Sequence, residues 1–366
     1  GPLDYRPVEP IRMAPDPDAV KRAAAMLLAA RNPVIWAGQG VHYADASPQL
    51  VALAELLPAP VACTNPGKSA IAETHPLALG SGGHATSRMV YDFLYDADLI
   101  FGIGCSFAIS SFATRMPKNK RYIHATLDPV DLNKDIAAEL GMAGDAKLTL
   151  QALIAELKTL DLNKAKARQE TTPAAIAKVR NEWMAEWLPK LTSDQSPMTP
   201  YRVIHELNQL VDKSKVVITH DAGSPRDQLI PFWQATHPLT YIGWGKTTQL
   251  GYGLPLAMGA KLAKPDHLCI NVWGDAAIGF TGMDFETAVR ERIPILSILF
   301  NNFSMAMEIP IMKVSDAKYN TCDISGNYAD MAKAFGGYAE RITDPNEIVN
   351  ALKRGIAATE RGEAVL

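Results

Sequence analysis

Short runs of consecutive apolar residues alternate along this chain with longer stretches whose apolar residues recur at helical spacing. Ala19–Ala30 has the helical pattern and stops at Arg31-Asn32-Pro33; Pro33–Trp36 then reads as a short buried strand running into Ala37-Gly38-Gln39-Gly40. Leu50–Leu57 reads as a helix, and Val61–Thr64 as a strand ended by Asn65-Pro66-Gly67. Met89–Tyr95 continues as helix, Asp98–Gly102 and Tyr122–Leu127 as strands, the last closed by Asp128-Pro129. These strands are continuously apolar rather than alternating. That pattern predicts a parallel sheet buried on both faces under helices.

The pattern changes between residues 160 and 198. Leu160–Thr172 is polar and charged, and Ala174–Leu191 predicts a long helix carrying Trp183 and Trp187. A second α/β unit starts near Pro200, with strands predicted at Val216–His220, Leu268–Trp273 and Ile295–Phe300. Between the last two, Phe285, Ala288 and Val289 share a helix face at i, i+3, i+4. The expected class is α/β: two three-layer α/β/α domains with mainly parallel sheets, joined by a helical linker. Residues 1–164 form the first domain, 165–198 the linker and 199–366 the second domain. Gly1-Pro2 fits either a cloning scar or native sequence, and Ala364-Val365-Leu366 reads as the start of a strand, so a continuation is expected.

Composition narrows the function classes. At 366 residues and 48% apolar content there is material for two cores. Thirty-six Lys and Arg against 39 Asp and Glu, with no basic block, disfavour nucleic acid and anionic membranes as partners. No apolar run reaches the ~18–20 residues that span a bilayer. Four scattered cysteines (Cys63, Cys105, Cys269, Cys322) form no CxxC motif, so a reducing, cytoplasmic setting is expected.

The sharpest chemical signal lies in the second domain. One predicted strand runs into Trp273-Gly274-Asp275-Ala276-Ala277, and the next ends at Asn301-Asn302. The interval from Asp275 to Asn302 is about one strand–helix–strand crossover. Neighbouring parallel strands bring their C-terminal tips to one sheet edge, where open α/β sheets bind ligands. One carboxylate and one amide oxygen suit a hard cation such as Mg²⁺, which shares its octahedron with water and phosphate. Small residues at a helix start, Ala276 and Ala277, let backbone N–H groups approach an anion. The pair reads as Mg²⁺ bridging protein to a diphosphate.

These residues resemble the thiamine diphosphate-dependent enzymes, whose signature is Gly-Asp-Gly, a crossover-length gap, then Asn-Asn. Here Ala276 replaces the second glycine. The resemblance implies Asp275, the Asn302 side chain and the Ser304 carbonyl as Mg²⁺ ligands. Thr248-Gln249-Leu250-Gly251-Tyr252-Gly253-Leu254-Pro255 resembles the segment beneath the coenzyme's thiazolium. It implies Leu250 as the side chain that keeps the two rings bent, with backbone at Thr248 and Leu250 on the pyrimidine. His220-Asp221-Ala222-Gly223-Ser224 resembles the loop touching the diphosphate, which adds Ala222, Gly223, Ser224, Gly274, Asp275, Ala276, Ala277 and Asn302 as coenzyme contacts. In the first domain, Pro33–Gly40, Thr74-His75-Pro76-Leu77, Asp98–Gly104, Arg121–Pro129 and Gly144–Leu148 resemble the middle domain of acetolactate synthase and its relatives. In the family a further pyrimidine-binding domain supplies an acidic residue; none precedes residue 1, so this chain alone is expected to hold an incomplete active site.

By the same resemblance Glu308 matches a catalytic carboxylate of pyruvate decarboxylase, although an isolated Glu is commonly a solvated surface group. Met305 and Met307 either line the substrate pocket or fill gaps. His84 and His220 either touch substrate or are satisfied structural groups. Gly102-Ile103-Gly104, with Asp128 after the next strand, hints at dinucleotide binding but lacks a third glycine; in relatives this domain holds FAD, ADP or nothing. Gly245-Lys246-Thr247 is no P-loop, because Thr240 stands where glycine is required.

The expected function is an Mg²⁺- and thiamine diphosphate-dependent lyase, decarboxylase or carboligase, acetolactate synthase-like, acting on a 2-keto acid or aldehyde. A 2-hydroxyacyl-CoA lyase or oxalyl-CoA decarboxylase with an acyl-CoA substrate is the alternative. A non-catalytic cofactor-binding or regulatory subunit is the rival of another class. A homo-oligomer, dimer or tetramer, is expected by resemblance, with the pyrimidine-binding domain supplied in cis or by another chain.

Overall fold

The computed structural model describes residues 6–9, 11–244 and 248–366. Gly1-Pro2 and Gly245-Lys246-Thr247 therefore lie outside the described residues. The first sheet contains β1 (Pro33–Ala37), β2 (Val61–Thr64), β3 (Ala78–Gly82), β4 (Leu99–Ile103), β5 (Arg121–Thr126) and β6 (Leu140–Ala143). Their order is β3-β2-β1-β4-β5-β6, every pairing parallel. The second sheet contains β7 (Val216–His220), β8 (Tyr241–Ile242), β9 (Leu268–Gly274) and β10 (Ile295–Phe300). Its order is β10-β9-β7-β8, again parallel throughout.

The apolar runs account for these sheets. β1, β4 and β7 are buried at every position, as strands covered by helices on both faces must be. Helix starts follow local chemistry: Asp16 accepts from the Ala19 N–H at 2.8 Å ahead of Pro17–Ala29, and Asp145 accepts from the Leu148 N–H at 3.0 Å ahead of Ala146–Leu157. The crossover between β9 and β10 is not one helix but two short ones, Asp275–Thr281 and Asp284–Arg290, with Phe285 and Ala288 buried as their spacing implies. At the end of the chain Val365 pairs in parallel with Leu296 of β10 and with Tyr338.

The helix Thr171–Leu191 joins the two units and packs on both. Its Ile176 and Trp183 enter the core of the first sheet. Trp183 stacks on Phe232, at the end of the helix Ser224–Phe232 of the second unit, with ring centroids 5.0 Å apart and planes 5° apart. The two sheets are thus held together by an aromatic wedge rather than by a free spacer. Among the described residues, no helix is long and apolar enough to cross a membrane.

Candidate active site

Parallel open sheets bind ligands where the strand order reverses, outside the C-terminal strand ends. In the second sheet that point lies between β7 and β9, because the chain leaves β7 toward β8 and returns to the other side for β9 and β10. The loop 220–224 leaves β7 there, and Gly274-Asp275 leaves β9 beside it. β10 is paired with β9 in the register Phe300↔Gly274. Asn302 therefore emerges next to Asp275, as the spacing between them predicts.

Asp275 is the first residue of its helix and is buried. Its Oδ1 accepts from the Ala276 N–H at 2.9 Å and its Oδ2 from the Ser304 N–H at 3.2 Å. The inward end of the Asn302 amide lies 3.0 Å from the Ser304 carbonyl oxygen and 3.3 Å from Asp275 Oδ2. With its NH2 turned inward, Asn302 donates to both. With its oxygen turned inward, three oxygens from three residues face one another with no proton between them. Octahedral Mg²⁺ at about 2.0–2.1 Å from each ligand sets neighbouring oxygens about 3 Å apart, which the two distances from the Asn302 amide, 3.0 and 3.3 Å, match. The amide can serve both states: NH2 inward without an ion, oxygen inward with one.

The loop after β7 is built for close approach. Ala222 is buried, and Gly223 has φ +83°, a conformation that side chains rarely adopt. Ser224 opens the next helix. A Cβ on Gly223 would stand 3.9 Å from the Met307 sulfur, so the Met305–Met312 turn reaches over this loop. Glu308 is half-buried in that turn, its N–H bonded to the Met305 carbonyl at 2.9 Å. Thr248 and Leu250 sit half-buried on the way to the helix Gly253–Ala263; Leu250 packs against the cluster that includes Ala277 and Ile278. Ala277 is fully buried, and Ala276 is half-buried.

Asp221 was visible in the sequence only as part of a loop, yet it ties the site together. Its Oδ1 accepts from the Ala222 and Gly251 N–H groups at 2.8 and 2.9 Å, and its Oδ2 from the Gly253 N–H at 2.8 Å. Desolvation pushes its pKa up and outweighs those three bonds, which pull it down.

His220 is engaged by protein groups on both ring nitrogens. It is fully buried, with Asp221 O 3.1 Å and the Tyr252 hydroxyl 3.0 Å from Nδ1 and Asn65 Nδ2 3.4 Å from Nε2. Since Asn65 Nδ2 is a donor, a neutral ring protonated on Nδ1 satisfies this arrangement. Burial lowers its pKa to about 3. Asn65 comes from the turn that follows β2 of the first sheet, donates to the Trp244 carbonyl at 2.9 Å and accepts from the Tyr241 hydroxyl at 3.1 Å. His84 is exposed and bonded through Nδ1 to the Ser111 carbonyl.

The first sheet carries its own crevice. Its order reverses between β1 and β4, and a cavity of 1470 Å³ opens there, lined by Gly38, Gly40, Gly104 and Asp128 among others. Gly104 has φ +60°, and a Cβ on Gly38 would fall 2.2 Å from the Gly104 oxygen, so the two-glycine hint reflects a real close approach. Arg115, Lys118 and Lys120 line the same cavity. These three lie within six consecutive positions of the sequence, and Arg12 joins them on the cavity wall.

The family described as "Thiamine pyrophosphate enzyme, central domain" matches residues 20–153, and "Thiamine pyrophosphate enzyme, C-terminal TPP binding domain" matches residues 221–366. The chain is 31% identical over 361 residues to the probable acetolactate synthase large subunit of Methanococcus aeolicus, covering 94% of this chain and 59% of that protein. It is 26% identical to the Escherichia coli K12 acetolactate synthase isozyme 3 large subunit, covering 94% of this chain and 60% of that protein. It is also 26% identical to the glyoxylate carboligase of Escherichia coli O157:H7, covering 96% and 61%. The chain thus spans about three-fifths of the length of these relatives. Two family matches that take in most of its residues, in family order, make this chain a member of the thiamine pyrophosphate enzymes.

Proposed function

We propose that this chain is the coenzyme-holding part of an Mg²⁺- and thiamine diphosphate-dependent enzyme, acetolactate synthase-like, that makes or breaks the C–C bond beside the carbonyl of a 2-keto acid or aldehyde. The observation that carries the reading is the oxygen trio of Asp275, Asn302 and Ser304 at the β7/β9 crevice. When bound, thiamine diphosphate supplies a nucleophilic carbon and a sink for the electrons released by C–C cleavage.

This chain's residues bind and orient. Asp275 Oδ2, Asn302 Oδ1 and the Ser304 carbonyl would hold Mg²⁺. Backbone N–H groups of Gly223, Ser224, Gly274 and Ala277 would receive the diphosphate, while Ala222 and Ala276, whose N–H groups are held by Asp221 and Asp275, would leave it room by their small side chains. Leu250 would support the rings, with Thr248 and Leu250 backbone on the pyrimidine. Met305 and Met307 would exclude water from the carbonyl, and Glu308 would hold or release a proton at its carboxyl group. The matches to acetolactate synthase large subunits support a 2-keto acid as substrate.

Calorimetry tests the binding reading: thiamine diphosphate should bind in Mg²⁺, fail to bind in EDTA, and fail to bind to Asp275→Ala. A wild-type chain that takes up no thiamine diphosphate in Mg²⁺ would end it. Consumption of pyruvate by the loaded protein, supplied where necessary with a pyrimidine-binding domain, separates the enzyme from a non-catalytic subunit.

The first-domain cavity supports a nucleotide there as well: it sits at a switch point, approached by glycine backbone and by the cations of Arg12, Arg115, Lys118 and Lys120. FAD or ADP are the candidates, and the nucleotide end of an acyl-CoA would fit the lyase alternative. Equilibrium dialysis with FAD, ADP and CoA separates them. Exposed Phe280, Met283, Ile311 and Val314, on the segments that follow β9 and β10, support a homo-oligomer that covers this face. Four free, buried thiols are in keeping with a reducing, cytoplasmic setting.

A further inference from the structure

The turn that carries Leu250 is held from two opposite sides at the next residue. The Gly251 N–H donates to Asp221 Oδ1 at 2.9 Å, and the Gly251 carbonyl accepts from the Thr281 hydroxyl at 2.8 Å. Asp221 belongs to the loop after β7. Thr281 ends the helix that begins at Asp275. The Leu250 turn is thereby referenced both to the candidate diphosphate loop and to the candidate metal helix.

Glycine is required where the clamp closes. Gly251 has φ +95°, and a Cβ on it would lie 2.7 Å from the Thr281 methyl carbon. A Cβ on Gly253 would lie 3.0 Å from Asp221 Oδ2 and 2.5 Å from Asn271 Oδ1. The chemistry of the acidic side chain is equally constrained. Asp221 is fully buried and faces three N–H donors from two separate segments. A carboxylate can accept all three; an asparagine would aim an NH2 group at one of them. Burying an anion without an ionic partner is expensive, so a purely structural loop bond is a poor use of it. An anion here does hold the one turn whose height over the crevice decides where a ring system rests.

We propose that Asp221 is a positioning residue: with Thr281 it clamps Gly251 from both sides and so fixes Leu250 relative to the metal-binding trio. The clamp rests on the proposed coenzyme and acts on the part that binds its rings. The metal and phosphate subsite does not depend on the Thr281 half of the clamp.

Two probes separate these parts. Mg²⁺-pyrophosphate engages only the ion and phosphate subsite, whereas Mg²⁺-thiamine diphosphate also uses the ring support. Calorimetry on the wild-type chain, Thr281→Val and Asp221→Asn gives the affinity for each probe. Thr281→Val, which removes one neutral hydrogen bond, should leave pyrophosphate affinity within about twofold and weaken thiamine diphosphate about fivefold. Asp221→Asn, which removes charge-assisted bonds, should weaken thiamine diphosphate more than about tenfold and narrow its advantage over pyrophosphate. Should Asp221→Asn fail to fold, Thr281→Val decides alone. Equal weakening of both probes, or no weakening of thiamine diphosphate in Thr281→Val, overturns the clamp. A wild-type chain that binds pyrophosphate but prefers it to thiamine diphosphate also overturns it. A wild-type chain that binds neither probe removes the proposed function itself, and the clamp with it.

Discussion

Lys68 of the first unit and Ile230 of the second meet in a hydrogen bond of 3.1 Å, from the lysine ammonium to the backbone carbonyl. The ammonium is almost fully buried, and it also pairs with the Glu73 carboxylate. Glu73 in turn accepts from the Ala235 N–H of the second unit at 2.9 Å. The pair is therefore a staple between the two α/β units. Removing one partner of a buried pair leaves an uncompensated charge and costs about 3–5 kcal/mol. Lys68→Met should lower the unfolding free energy by that amount in urea titrations, and Lys68→Met/Glu73→Gln should recover part of it. A loss below about 1 kcal/mol in the single variant would show that the staple is idle.

Acid should weaken the fold in a way that maps onto His220. Burial lowers its folded pKa from 6.5 to about 3, so the native ring stays neutral while the unfolded ring takes up a proton. Its contribution is complete above pH 6.5 and is lost as pH falls from 6.5 toward 3. The slope is about 1.4 kcal/mol per pH unit for this one group. His42 and His124, also lowered by burial, act in the same direction. Urea titrations between pH 7.5 and 5 should show stability falling with pH, and His220→Gln should remove one proton's worth of that slope. An unchanged slope would place the acid sensitivity elsewhere.

The Asn302 amide should report metal binding. An inward oxygen is favourable only with a cation among the three oxygens, so Asn302→Ala should raise the Mg²⁺ concentration needed for thiamine diphosphate binding at least about tenfold. Asn302→Leu should do the same without emptying the space. Retention of wild-type Mg²⁺ dependence in both variants would remove Asn302 from the ligand set.

The four cysteines should be inert in the native protein. All are free and buried, and desolvation raises the Cys63 and Cys105 thiols to about 12 and Cys269 to about 11. Thiolate is the reactive form, so at pH 8 almost none is present. A chromogenic disulfide reagent should titrate no fast thiol in the native chain and four after guanidinium denaturation. A fast native thiol would mark a cysteine more accessible than its burial implies.

Strand legibility followed position in the sheet. Val61–Thr64, Val216–His220 and Ile295–Phe300 carry the bounds that their apolar runs predict, and β1, β4, β5 and β9 differ only at their ends. The strands that the apolar pattern does not reveal are β3, β6 and β8, each at a sheet edge. An edge strand pairs on one side only and needs no long apolar run, so the two residues of β8 or the glycine-rich β3 leave little trace. The Asp275–Asn302 juxtaposition was legible because a strand–helix–strand interval and parallel pairing fix it together. Asp221, Thr281 and Asn65 were not, since each acts on a partner at least thirty residues away.

By itself the amino-acid order determined the α/β class, the two-sheet layout and the meeting of Asp275 with Asn302 at one sheet edge, because continuous burial and crossover length are local properties of the chain. Tertiary structure alone decided which loop braces which: the Asp221–Gly251–Thr281 tie, the bonds from Lys68 and Glu73 to Ile230 and Ala235, and the placing of the basic 115–120 segment on the first-domain cavity. Those depend on how folded segments approach one another, and no periodicity in a one-dimensional pattern encodes that approach.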